Sequence, residues 1–137
     1  MTSFSYRGSA EWLHSVRADA GAWLADRGVV GPGLFDCLLV LNELSTNALQ
    51  AAPDELFRVD LALAPLAGRS QVVLAVTNRL KSSAERPPAI DDWAFPHQTA
   101  LTGRGLAIVR QVSDTAAVES TENTVTVTAC LTVDSAF

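Results

Sequence analysis

Two polar residues, Glu43 and Asn47, interrupt a largely apolar segment and are the positions best suited to chemistry. Their separation of four residues places both side chains on one face of a helix, one turn apart. Burying a carboxylate and a carboxamide without partners costs on the order of several kcal/mol. The pair therefore indicates either a ligand site or a solvated side of the helix. Apolar residues recur around the pair at helical spacing, at Leu34, Phe35, Leu38, Leu39, Leu41, Leu44, Ala48 and Leu49.

A second motif, Gly103-Arg104-Gly105-Leu106, follows a long polar segment that contains several prolines. Glycines allow backbone N–H groups to approach an anion closely, and the start of a helix attracts phosphate. The pattern predicts a short helix over 106–112 with the glycines at its mouth. The alternative is a flexible hinge that begins a helix without binding an anion.

The periodicity of apolar residues predicts the elements that hold these motifs. Helices are expected over 10–27, where Gly28 is a C-cap, and over 32–52, where Pro53 ends the second helix. Period-two patterns predict strands over 3–6, 56–64, 71–78, 115–120 and 124–133. Helices and strands are grouped rather than alternating, which predicts an α+β fold: a two-layer sandwich in which helices cover one face of a mostly antiparallel, mixed sheet.

Composition and charge narrow the class of protein. With 137 residues, 48% of them hydrophobic and 18% charged, the chain is expected to form one globular domain over 1–137. The net charge of −5 argues against direct nucleic-acid binding and favours a protein partner. The N-terminus does not resemble a signal peptide, and no apolar run is long enough for a membrane span. Two isolated cysteines, Cys37 and Cys130, indicate core residues in a reducing, cytoplasmic compartment.

The order of these motifs resembles the GHKL (histidine kinase-like) ATPase fold of gyrase B, MutL and histidine kinases. More narrowly, segments 39–48 and 103–109 resemble the small bacterial anti-sigma factor serine/threonine kinases. The resemblance covers 10–133 and implies a Bergerat-type ATP-binding fold with ATP and Mg²⁺ as cofactors. It also implies a sigma factor or an anti-sigma antagonist protein as partner, and the family often forms homodimers.

The resemblance assigns roles to individual residues. Asn47 matches the asparagine that holds Mg²⁺ through its side-chain oxygen, which is the ligand type this cation prefers. Glu43 matches the carboxylate that acts as general base toward a hydroxyl or water. Thr124 matches a threonine lining the adenine pocket, although a β-branched residue in a strand needs no such role. The motif Gly103, Arg104, Gly105 and Leu106 matches the phosphate-covering lid, with a variable lid loop at about 79–102.

The sequence departs from the family at the end of the strand predicted over 71–78. Family members continue into Asp-x-Gly-x-Gly, whereas this chain has Asn78-Arg79-Leu80-Lys81-Ser82. Asn78 takes the position of the adenine-reading aspartate, and its amide oxygen is a weaker, neutral acceptor. Two hypotheses follow. The chain is an ATP-dependent kinase, or it is a non-catalytic protein-binding regulator of the same fold that binds nucleotide weakly or not at all.

Overall fold

A computed structural model describes the backbone of residues 1–7, 11–51, 55–79 and 101–135, and their side chains except those of 101–105. Residues 80–100, which form most of the expected lid loop, lie outside this description. The elements follow in the order β1 (Thr2–Arg7), α1 (Trp12–Asp26), α2 (Gly31–Ala51), β2 (Leu56–Leu66), β3 (Arg69–Arg79), α3 (Leu101–Val112), β4 (Thr115–Ser120) and β5 (Thr124–Asp134).

The strands form one sheet in the order β1-β2-β3-β5-β4. Every pairing between these strands is antiparallel, which confirms the predicted α+β class and replaces the expected mixed sheet with an antiparallel one. The turn between β2 and β3 contains only Ala67 and Gly68, both at positive φ (49° and 83°). Because this turn is so short, both strands are longer than their apolar pattern predicts.

The register separates the two faces of the sheet. Phe57, Asn78 and Val125 form one row across β2, β3 and β5, and all three are buried beneath the helices. In the next row the pairs are Arg58 with Thr77 and Thr77 with Thr126, so these side chains project from the opposite side. We call this opposite side the open face. It carries Arg58, Thr77 and the alternate residues in register with them.

The three helices lie side by side on the other face. α2 packs against β2, β3 and β5 in the centre of the sheet. α1 contacts α2 and β1, whereas α3 contacts α2 and β4. Since β1 and β4 are the two edge strands, α1 and α3 flank α2 on opposite sides.

Chain direction brings several termini to one end of the sheet, which we call the Asn78 end. β3 ends there at Arg79, which pairs with Thr124 at the start of β5. The short connection from α2 to β2 places the end of α2 there as well. β4 runs toward this end, and α3 packs against both β4 and α2 while ending just before β4 begins. The N-terminus of α3 therefore also points to the Asn78 end.

The observed start of α3 corrects one prediction. The helix begins at Leu101, so Gly103 and Gly105 lie inside its first turns rather than before it. Each glycine disfavours a helix by about 1 kcal/mol relative to alanine, which is why the pattern predicted a later start. Buried Leu106 and Val109 belong to the core, and tertiary packing of this kind overrides local propensity.

Two other sequence predictions have definite outcomes. Gly28 has φ 87° and its N–H bonds to the Ala25 carbonyl oxygen at 3.0 Å, so it ends α1 as predicted, as the left-handed residue directly after the C-cap Arg27. Cys37 is fully buried as expected, but Cys130 is half-buried on the open face and not in the core. Among the described residues no helix is both long enough and apolar enough to cross a membrane.

Candidate functional site

The position of α2 in the centre of the helical layer decides where Glu43 and Asn47 point. A Cβ added to Gly21 would lie 3.7 Å from Leu38 Cδ1, so Leu38 projects from α2 toward α1. At roughly 100° per residue, Glu43 and Asn47 lie roughly 140–180° around the helix from Leu38. Both side chains therefore project from the flank of α2 that faces α3. Both are half-buried, which excludes the fully solvated alternative.

Asn47 has a side-chain hydrogen-bond donor that is unsatisfied in the described part of the chain. Its Nδ2 atom is buried and has no hydrogen-bond partner in the described part of the chain. An unsatisfied buried donor costs about 1–3 kcal/mol, so native structures normally pair such groups. An amide placed in this way can offer Oδ1 to a cation and Nδ2 to a neighbouring oxygen. The residue therefore fits a metal-bound anionic ligand.

Glu43 lies one turn earlier on the same flank and is altered by its surroundings. Burial raises the pKa of this carboxyl above its usual value. A carboxylate with a raised pKa is a stronger base than one in water. Glu43 is thus suited to accept a proton from a group held beside Asn47.

Asn78 is the last residue but one of β3 and lies on the helix-facing side of the sheet. It is buried, and its Nδ2 donates a long bond of 3.4 Å to the Arg79 carbonyl oxygen. Phe57 and Val125 flank it in the same row of the sheet, and both are buried. Sequence reasoning missed these two apolar neighbours, because only the strand register shows which residues lie beside Asn78. The alternating pattern of β5 did indicate that Val125 faces inward.

Thr124 does not share a face with Asn78. It pairs with Arg79 and projects from the open face, and its hydroxyl is 2.7 Å from the Thr121 hydroxyl. The β5 side chain beside Asn78 is that of Val125. The proposed role of Thr124 in an adenine pocket stays a prediction.

The glycine motif contributes backbone groups at the N-terminus of α3. The first four N–H groups of a helix have no partner within it, and those of Gly103 and Arg104 are among them. The N–H of Gly105 comes fifth and bonds back to Leu101 in a regular helix. Leu106 is buried in the core. The motif thus places two such N–H groups at the same end of the molecule as Asn78, and an anion site there stays a prediction.

Comparison with known proteins gives one family. The model of the histidine kinase-like ATPase domain matches residues 7–130, a span that runs from the end of β1 into β5. None of the curated proteins compared with the chain matches it.

Proposed function

We propose that this chain, which belongs to the histidine kinase-like ATPase domain family, is an ATP-binding regulatory protein and acts as a serine/threonine kinase of the anti-sigma factor type. Membership of the family supports ATP binding. The observation that carries the proposal is the buried, unpartnered amide of Asn47 one turn from Glu43.

In the proposed site, different residues would contact different parts of Mg-ATP. Asn47 would hold Mg²⁺ through Oδ1, and the N–H groups of Gly103 and Arg104 would face the phosphates. When bound, Mg²⁺ neutralises phosphate charge and makes the terminal phosphoryl group easier to transfer. The buried row that contains Asn78 provides an apolar wall for the adenine ring.

Asn78 can read adenine although it replaces an aspartate. Its Oδ1 accepts a hydrogen bond from the exocyclic amino group, and its Nδ2 donates to a neighbouring ring nitrogen. Such a pair of bonds suits adenine, whose edge presents a donor beside an acceptor. Losing the negative charge weakens the bond to the amino group, since charge-assisted bonds are about twice as strong as neutral ones.

Glu43 would act as the general base. Its carboxylate accepts the proton of the attacking hydroxyl as that oxygen approaches the phosphoryl group. Burial raises the pKa of Glu43 and thereby its affinity for this proton. Orientation by one rigid helix keeps the base and the metal ligand at a fixed separation.

The proposed partners are proteins. Resemblance of segments 39–48 and 103–109 to anti-sigma factor kinases supports a sigma factor, or the serine-bearing antagonist protein that such a kinase phosphorylates. The same resemblance supports a homodimer. The chain's net charge of −5 is consistent with protein partners rather than nucleic acid.

A second candidate function rests on one observation. Asn78-Arg79-Leu80-Lys81-Ser82 replaces the Asp-x-Gly-x-Gly of the family, which removes a charged acceptor and two glycines. A protein changed in this way can keep the fold and its protein contacts while binding nucleotide weakly. It would then regulate its partner without phosphorylating another protein.

Calorimetric titration with ATP and ADP, each with and without Mg²⁺, separates the two candidates. We expect saturable binding of ATP that weakens when EDTA removes the metal. GTP serves as the control, because its edge presents different donors and acceptors to Asn78. Absence of ATP binding at millimolar concentration would exclude the kinase and favour the second candidate.

A further inference from the structure

A cavity of about 320 Å³ opens at the Asn78 end of the sheet. Three neighbouring strands and the start of β5 contribute to its wall. Its lining consists of Ser5, Arg7, Glu55, Leu56, Phe57, Arg58, Thr77, Asn78, Arg79 and Thr124. The proposed function assigns no role to its arginines. We call this cavity the arginine pocket.

Three arginines line the arginine pocket, each from a different strand: Arg7 from β1, Arg58 from β2 and Arg79 from β3. Arg7 pairs with Leu56, and Arg58 pairs with Thr77, in the rows that form the open face. This register makes Arg58 the diagonal neighbour of both Arg7 and Arg79, at roughly 7–8 Å. An anion held between these strands would be attracted by all three side chains. Such a cluster is unusual in a chain whose net charge is −5.

Two carboxylates moderate this charge. Glu55 is the acidic residue of the lining. Asp60, on the open face beside the pocket, accepts a bond from Arg58 Nε at 2.8 Å and another from the Ser3 hydroxyl. Among the described residues, the pocket and its edge therefore hold three arginines against Glu55 and Asp60, and this excess of one positive charge favours an anion.

Hydroxyl groups add neutral donors to the same wall. Thr77 and Thr126 Oγ1 are 2.8 Å apart, and Thr121 and Thr124 Oγ1 are 2.7 Å apart. Each pair contains two hydroxyl protons and uses one of them in its mutual bond. Thr77 and Thr124, one member of each pair, line the pocket.

We propose that the arginine pocket binds the phosphate group of a phosphorylated side chain on a partner protein. Such a group carries a charge of about −1.5 to −2 at neutral pH and three acceptor oxygens. Arginine forks bind these oxygens in pairs, and the Thr77 and Thr124 hydroxyls lie in the same lining. On the open-face side of the pocket, the described lining residues include no aromatic ring that could stack on a nucleotide base.

The arginine pocket and the proposed ATP site are separate surfaces. Arg58 and Thr77 project from the open face, whereas Asn47 lies among the helices on the other side of the sheet. Phe57 and Asn78, neighbours in one row of the sheet, border both. Phosphate recognition at this pocket does not require that the chain binds ATP or transfers phosphate.

Nuclear magnetic resonance titration with a short peptide tests the proposal. The probe is Gly-Gly-phosphoserine-Gly-Gly with blocked ends, added to the ¹⁵N-labelled full chain, and the unphosphorylated peptide is the comparison. We expect saturable shifts of the amides of Arg7, Thr77 and Thr124 with the phosphopeptide alone. The proposal would be overturned by shifts confined to α2 and α3, by equal shifts with the plain peptide, or by displacement of the phosphopeptide by Mg-ATP. It would also be overturned if no amide shifted at a phosphopeptide concentration tenfold above about 1 mM.

Charge variants give a second, independent readout. Arg79→Gln should weaken phosphopeptide binding about tenfold, the loss expected of one charge-assisted contact. Glu55→Gln should strengthen binding, because it removes the carboxylate from the lining. Arg69→Gln is the matched control: Arg69 is also on the open face of β3 but at its other end, where it pairs with Asp134 at 3.0 Å. Equal affinity in Arg79→Gln and Arg69→Gln would contradict the proposal.

Discussion

Glu43 and Asn47 lie one helical turn apart on the flank of α2 that faces α3, and Asn47 Nδ2 is buried there without a hydrogen-bond partner in the described residues. Neither group stabilises the unliganded fold in this position, since one is a partly desolvated acid and the other an unpaired amide. In the proposed site both would contact the metal-bound nucleotide. The features that cost stability would then be the ones that serve binding.

Glu43→Gln should make the unliganded protein more stable at pH 7. Burial raises the folded pKa of Glu43 above the unfolded value of about 4.3, so the folded state binds more protons than the unfolded state between the two values. Stability contributed by this group is present at low pH and is lost as the pH rises through that window. Urea unfolding should show a larger advantage of the variant at pH 7 than at pH 4, with the exposed Glu119→Gln as control. A variant less stable than the native chain at pH 7 would refute this account of Glu43.

The same substitution should remove catalysis while sparing binding. Glutamine keeps the shape of Glu43 but cannot accept the proton of an attacking hydroxyl or water. We expect the rate of Mg-ATP hydrolysis to fall about 10²–10⁴-fold, the usual contribution of a general base, with little change in ATP affinity. Release of phosphate is the measurement. A variant that hydrolyses ATP at the native rate would show that Glu43 is not the base.

Two helical glycines should respond in opposite directions to alanine. A Cβ on Gly33 would lie 2.8 Å from Val133 Cβ, and a buried β-branched residue has little freedom to move. Gly33→Ala should therefore destabilise the fold by about 1–3 kcal/mol. Gly21→Ala meets Leu38 Cδ1 at an ordinary 3.7 Å and should stabilise it by about 0.5–1 kcal/mol. Thermal or urea unfolding distinguishes the two, and equal shifts would contradict the packing of α2 on β5.

Elements with a strong apolar period could be predicted from the sequence. The second helix, expected over 32–52, is observed as Gly31–Ala51, and β5 buries the valines of its alternating pattern. β4 is observed over the predicted 115–120. Each of these patterns extends over enough turns or alternations for the buried face to be identified from sequence alone.

Relationships that depend on distant residues could not be predicted. Whether Thr124 or Val125 lies beside Asn78 depends on the register between β3 and β5, which are separated by α3 and β4 along the chain. The arginine pocket assembles side chains from three strands for the same reason. α3 begins earlier than its glycines suggest because its packing against α2 is a tertiary effect. Local sequence carries little information about any of these.

Asn47 tests the proposed nucleotide site most directly. Calorimetric titration of Mg-ATP into Asn47→Ala, alongside Asn42→Ala, compares two amides on the same helix, of which Asn42 lies on a different flank. The proposed site predicts that Asn47→Ala keeps the fold, as circular dichroism would show, and loses measurable Mg-ATP binding, while Asn42→Ala binds as the native chain does. Unchanged Mg-ATP affinity in a folded Asn47→Ala protein would contradict it.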